Sequence, residues 1–183
     1  MTDTAVSGAR LFFALSPDAR IRERIASAAA ALKVSGDASA VPQENYHLTL
    51  AFIGAASPHL PQLLQIGREQ RAGGFALTFD AYEYWPKPEV AVLAARTMPP
   101  LLEQLWQRLH RDLANHELAL NPKRLRPHVT IARKVSQEPV RQAMSPFSWD
   151  VRAFSLLRSE GDAARPVYTV LDTWPLLYGM VEP

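Results

Sequence analysis

The sequence predicts an α+β fold of two duplicated β-α-β-α-β halves, giving two sheets related by a pseudo-two-fold axis. Three observations predict it. Apolar runs of strand length alternate with longer segments whose apolar residues recur at helical spacing. The order of these runs repeats, a first set starting at Arg10 and a second at Val90. A His-x-Thr string falls 37 positions after the first start (10 to 47) and 38 after the second (90 to 128). A repeat this long points to a duplicated half-domain rather than a solenoid. Two lobes in one folding unit, residues 1–183, are expected.

Arg10-Leu-Phe-Phe-Ala-Leu15 reads as a buried strand that stops at Ser16-Pro17-Asp18. Ser16 is the expected N-cap of the following helix and Pro17 its first residue. Ile21, Ile25, Ala28, Ala29 and Leu32 keep helical spacing, and Gly36 closes the segment. Residues 46–53 form the next strand, ending at Gly54. Ser57-Pro58 opens a helix carrying Leu60, Leu63, Leu64 and Ile66, and Phe75–Phe79 alternates as a strand. Residues 82–88 hold two prolines and read as an edge strand or loop. In the second half, residues 90–95 are a strand, and Pro99-Pro100 starts a helix with Leu101, Leu102, Leu105, Trp106, Leu109 and Leu113. A basic loop follows over 121–127, then a strand over 128–132. A short helix is expected over 138–144, with the last strands over 149–157 and 167–171.

A hydrophobic content of 48% with 21% charged residues fits a globular chain and argues against disorder. There are no cysteines, which excludes disulfides and thiolate–metal sites and suits a reducing cytoplasm. Residues 1–10 have no apolar core of a signal peptide, and no apolar run reaches the length of a membrane span. The net charge of +2 is no nucleic-acid footprint by itself.

The chemistry lies in two strings, Asn45-Tyr-His-Leu-Thr-Leu-Ala-Phe52 and Arg126-Pro-His-Val-Thr-Ile-Ala-Arg133. On a strand, residues i and i+2 share a face. His47 and Thr49 therefore oppose Leu48, Leu50 and Phe52, and His128 and Thr130 oppose Val129 and Ile131. With five histidines and eight threonines in 183 residues, two such strings arise by chance roughly 2% of the time. A lone strand histidine is more often a satisfied sheet residue than a catalyst. Two at equivalent points of a repeat reverse that weighting.

Opposed imidazoles suit in-line displacement at phosphorus, where one oxygen loses a proton as another gains one. Side chains with an unperturbed pKa of about 6.5 can serve as base and acid together at neutral pH. Thr49 and Thr130 can donate to the non-bridging oxygens as charge develops there. Arg133 can neutralise the same oxygens, although strict alternation puts it on the face opposite His128.

On these residues the chain resembles the two-histidine (2H) phosphoesterase superfamily, and within it the RNA 2′,3′-cyclic phosphodiesterases, historically called 2′-5′ RNA ligases. The likeness extends over nearly the whole chain and includes the strand 10–15 and the string 44–54. It implies a bilobal α+β fold in which antiparallel-rich sheets face a central groove with helices outside. It also implies hydrolysis of an RNA 2′,3′-cyclic phosphate to a 2′-phosphate without metal or cofactor. His47 would be the proton donor, His128 the proton acceptor, and Thr49, Thr130 and Arg133 the phosphate holders. Joining such an end to a 5′-hydroxyl is the same displacement with an alcohol nucleophile. Alternatives are a 2H esterase on a 2′-5′ oligonucleotide or a cyclic ADP-ribose phosphate, and a non-catalytic RNA-binding module. Intact histidines and threonines in both strings speak against the last.

Lys123, Arg124 and Arg126 form either a solvated loop or a contact for RNA backbone at the groove mouth, two readings of equal weight. His59 is expected to be solvated. His110 and His116, six apart, do not share a helix face and suggest no metal pair. Trp85, Trp106, Trp149 and Trp174 can stack bases, but core packing is the better expectation for most. A monomer acting on RNA or an oligonucleotide, away from membranes, is the expected form.

Overall fold

The computed structural model describes residues 9–34, 36–55, 57–118, 124–140, 143–161 and 166–177. Ten strands and three helices appear among them. The first sheet has the order β10 (Val167–Pro175), β9 (Ala153–Glu160), β1 (Arg10–Leu15), β3 (Leu48–Gly54). The second has the order β2 (Ser39–Ala40), β7 (His128–Arg133), β6 (Val90–Ala94), β5 (Ala81–Trp85), and every pairing is antiparallel. A separate two-stranded ribbon pairs β4 (Phe75–Phe79) with β8 (Phe147–Val151).

The duplicated halves exchange parts. The short β2 of the first half pairs with β7, whereas β9 and β10 of the second half extend the first sheet beside β1. Helices cross over as well. Helix α1 (Ala19–Ala31) packs on the second sheet, where Tyr82 Oη donates to the Ala28 carbonyl at 2.7 Å. Helix α3 (Pro100–Asn115) covers β3 of the first sheet, and α2 (Leu60–Glu69) lies against β9 and β10. One continuous core results, containing Phe13, Leu48, Leu63, Leu105, Val129, Phe154 and Trp174.

Local chemistry explains most of the elements and corrects several expectations. The N-cap of α1 is Asp18, whose carboxylate accepts from the Ile21 amide at 2.8 Å, and not Ser16. A carboxylate at that position satisfies an orphan amide and favours the positive helix end, so the helix starts after Pro17. A 3-10 turn over 57–59 precedes α2. The helix expected over 138–144 is absent among the described residues of that span. Pro146 biases Ser145 towards an extended backbone, and one or two turns are too few to nucleate without a buried face. Val140 is indeed 77% exposed. Among the described residues the second half therefore keeps one helix of its expected two. The single strand expected over 149–157 is two strands, broken at Arg152. Trp149 and Val151 face the core from the ribbon, and Phe154 does so from the first sheet. No helix among the described residues is long and apolar enough to cross a membrane.

Candidate active site

The two histidine strings lie on β3 and β7, which approach each other across the gap between the sheets. Both strands carry an irregularity at the same place. Opposite β1, Phe13 pairs with Ala51 and Ala14 with Thr49, leaving Leu50 as an extra residue. Opposite β6, Ala91 pairs with Ala132 and Val92 with Thr130, leaving Ile131 extra. A bulge turns two successive residues to one side and restarts the alternation in the opposite phase. Leu50 and Ala51 are both buried, as are Ile131 and Ala132, each bulge pairing an aliphatic residue with the small alanine.

Both bulge carbonyls find partners outside the ladders. His110 of α3 donates from Nε2 to the Leu50 oxygen at 3.1 Å, and the Val41 amide donates to the Ile131 oxygen at 2.9 Å.

The phase change decides where two residues point. Arg133, placed on the far face by strict alternation, reaches the face of His128 and Thr130. It lines a pocket of about 230 Å³ with His47, Thr49, Phe12 and Tyr168. Phe52, expected on the core face, is corrected in the same way: it is 48% exposed and lines that pocket. His128 and Thr130 stand on the facing strand, outside the lining of this pocket, with His128 within electrostatic reach of His47.

Each imidazole is tethered alike. Nδ1 of His47 lies 2.7 Å from the Asn45 carbonyl oxygen, and Nδ1 of His128 lies 2.6 Å from that of Arg126. A carbonyl only accepts, so Nδ1 carries the hydrogen in both rings and Nε2 is left free to give or take a proton. Beneath each ring is a small apolar floor, Phe12, Ala14 and Leu157 in the first sheet and Val90, Val92 and Ala94 in the second. Each ring also has an aromatic wall. Tyr168 meets His47 edge-on at 5.0 Å, and Trp85 lies 4.4 Å from His128.

Burial, the largest cause for both, holds these histidines below the usual imidazole value. For His47 the tether to Asn45 works against burial, while Arg133 and His128 add to it. For His128 the tether and the Glu83 carboxylate favour the proton, and Arg126 opposes it. A proton on His128 thus opposes one on His47.

The remaining candidates are dispersed. Lys123 lies outside the described residues. Arg124 borders a neighbouring cavity of about 380 Å³, and Arg126 is ion-paired to Glu83 at 2.5 Å. His110 sits half-buried beneath the Leu50 bulge. Trp106 packs on His110, Trp149 on Phe79, and Trp174 among Phe13 and Phe154. The exposed aromatic beside His47 is thus Phe52 rather than a tryptophan. In the sequence, alternation ends in the unbroken apolar run Leu50-Ala51-Phe52-Ile53 of the first string and at Ile131-Ala132 of the second.

Known proteins are similar to this chain in sequence and fold. The chain is 34% identical over 171 residues to the RNA 2′,3′-cyclic phosphodiesterase of Escherichia coli (strain K12), covering 91% of this chain and 96% of that one. It is 30% identical over 179 residues to the RNA 2′,3′-cyclic phosphodiesterase of Thermus thermophilus, covering 91% and 90%. Its structure is similar to that of Escherichia coli LigT complexed with 3′-AMP, with a TM-score of 0.81, 30% identity, and coverage of 93% and 99%. Residues 17–163 match the 2′-5′ RNA ligase superfamily, and the chain belongs to that family.

Proposed function

We propose that the protein is an RNA 2′,3′-cyclic 3′-phosphodiesterase, hydrolysing cyclic phosphodiester ends to 2′-phosphomonoesters by metal-independent two-histidine catalysis. The observation that carries this is the matched pair of imidazoles, each with Nδ1 tied to a carbonyl and Nε2 free, on facing strands that also present Thr49, Thr130 and Arg133. The names of the two relatives support the substrate, and 3′-AMP in the Escherichia coli neighbour supports a nucleotide in the groove.

In this reading water attacks phosphorus in line with the 3′ oxygen. His128 Nε2 accepts the proton of the attacking water, the P–O3′ bond breaks, and His47 Nε2 gives its proton to the departing oxygen. The product carries a 2′-phosphate and a free 3′-hydroxyl. Thr49, Thr130 and Arg133 donate to the non-bridging oxygens, where charge accumulates. Phe52 offers its exposed ring to a base. A cavity of about 540 Å³ that shares Arg133 and Tyr168 with the pocket gives room for the rest of the strand. Ligation is the same displacement with a 5′-hydroxyl in place of water. A cytoplasmic location suits a chain without cysteine.

In the free protein, Arg133 and His128 oppose a proton on His47, after burial, whereas Glu83 favours one on His128. Donation by His47 therefore depends on the bound phosphate, whose negative charge offsets Arg133. Either histidine changed to Ala should lower cleavage of a cyclic-phosphate oligonucleotide by on the order of 10²–10⁴-fold. Dialysis against EDTA should leave the rate unchanged. A 4-nitrophenyl phosphodiester, whose leaving group needs no proton, should restore turnover to His47→Ala and not to His128→Ala. Rescue of His128→Ala instead would reverse the roles, and full activity of either variant on RNA would end the two-histidine reading.

A further inference from the structure

We propose that Glu83, Trp85 and Arg126 are positioning residues for His128, locked by the Glu83 carboxylate into a wall that fixes the imidazole in the groove. This rests on the reading of His128 as a catalytic residue.

Glu83 and Trp85 stand two apart on the edge strand β5, so their side chains share a face. One oxygen of Glu83 accepts from Trp85 Nε1 at 2.9 Å and from an Arg126 Nη at 2.5 Å. The Arg126 guanidinium carbon lies 4.4 Å from the centroid of the indole ring. The indole also packs 4.4 Å from the His128 ring and covers Val90, Val92 and Ala94. None of the three side chains can swing away without breaking contacts to the other two. Arg126 acts twice, because its carbonyl also accepts from His128 Nδ1. One residue thus sets both the tether of the catalytic ring and its wall.

A half-exposed ion pair contributes little stability by itself. Holding an aromatic plane against an imidazole is a better account of this one. The walls of the other histidine are built differently, since Phe12 and Tyr168 flank His47 and both are uncharged. With Arg126 and His128 both packed on Trp85, the indole is not a platform for a base. The guanidinium of Arg126 is ion-paired to Glu83, with its side chain still 64% exposed. The charged and titratable groups facing His128 are Glu83 on β5, Arg126 just before β7, and His47 across the groove.

Glu83→Gln keeps an acceptor for the indole and removes the charge that holds Arg126. Its kcat on a cyclic-phosphate dinucleotide should fall about 10–100-fold with KM within about 2-fold, as expected for misplacement of a reacting group. In ¹⁵N-histidine NMR the titration midpoint of His128 should move to lower pH, because an anion favouring imidazolium is gone, and that of His47 should stay. Trp85→Phe, which keeps a flat wall, should retain more activity than Trp85→Ala. Unchanged kcat together with an unchanged His128 titration in Glu83→Gln would overturn the proposal. So would an Arg126→Ala variant with normal kcat and a KM raised in a salt-dependent way, the signature of a phosphate contact. Should Glu83→Gln fail to fold, Arg126→Lys, which loses the flat guanidinium on the indole, should lower kcat over the same range with KM within about 2-fold, and an unchanged kcat there would overturn the proposal. If the wild-type protein cleaves no cyclic phosphate, the functional reading fails, and the His128 resonances alone decide the clamp.

Discussion

Each imidazole of the candidate site, His47 and His128, is held by one hydrogen bond, from Nδ1 to the carbonyl two residues earlier, in a place that disfavours its charge. His110 is a third half-buried imidazole, pushed down by desolvation and bonded to the Leu50 carbonyl. Its Nδ1 has no hydrogen-bond partner, so protonation would bury an unpaired N–H. All three shifts are downward. Between the folded values and the unfolded value near 6.5, the unfolded chain therefore binds more protons than the native one. Stability is then fully present above about 6.5 and declines as pH falls through the folded values. The thermal midpoint should accordingly drop on going from pH 7 to about pH 5.5, before most carboxylates titrate. A flat midpoint over that interval would contradict the burial of these rings.

At the scale of elements, helix α2 carries Gly67 where its surface meets Trp174 of β10. A Cβ added there would lie 2.3 Å from the indole ring. Helix propensity alone favours Gly67→Ala by about 1 kcal/mol. The indole cannot yield, being packed among Phe13 and Phe154, so the clash decides the sign. Gly67→Ala should destabilise by about 1–3 kcal/mol, the usual cost of overpacking, read as a lower midpoint in urea with unchanged slope. The two bulges belong to this scale too. Alternation placed His47 with Thr49 and His128 with Thr130 correctly, because a period of two holds over three residues. It failed at Phe52 and Arg133, because one inserted residue inverts every later side chain. The apolar runs 50–53 and 131–132 mark where alternation ends without saying which residue is inserted. Only the neighbouring strands β1 and β6 decide that Leu50 and Ile131 are the ones left unpaired.

At the scale of the whole molecule, the halves of the repeat are not the halves of the structure. β2 and α1 serve the second sheet, whereas α3, β9 and β10 serve the first. A chain ending at Pro88 would leave β1 without its neighbour β9, and α1 would lose the sheet it covers. Such a fragment should show no cooperative unfolding transition by itself. Mixed with the complementary piece 89–183, it should regain structure and histidine-dependent activity. Independent folding of the first fragment would contradict the exchange.

The sequence by itself determined the α+β class, most strand and helix positions, the duplication and the histidine–threonine pairs. All of these follow from local periodicity and from residue types at short spacing. Tertiary structure alone decided which strands share a sheet, how Arg133 enters the pocket, and what surrounds each histidine. Those outcomes come from pairing between distant segments. Glu83 and Trp85 stand more than forty residues before His128 in the chain, and no local pattern links them to it.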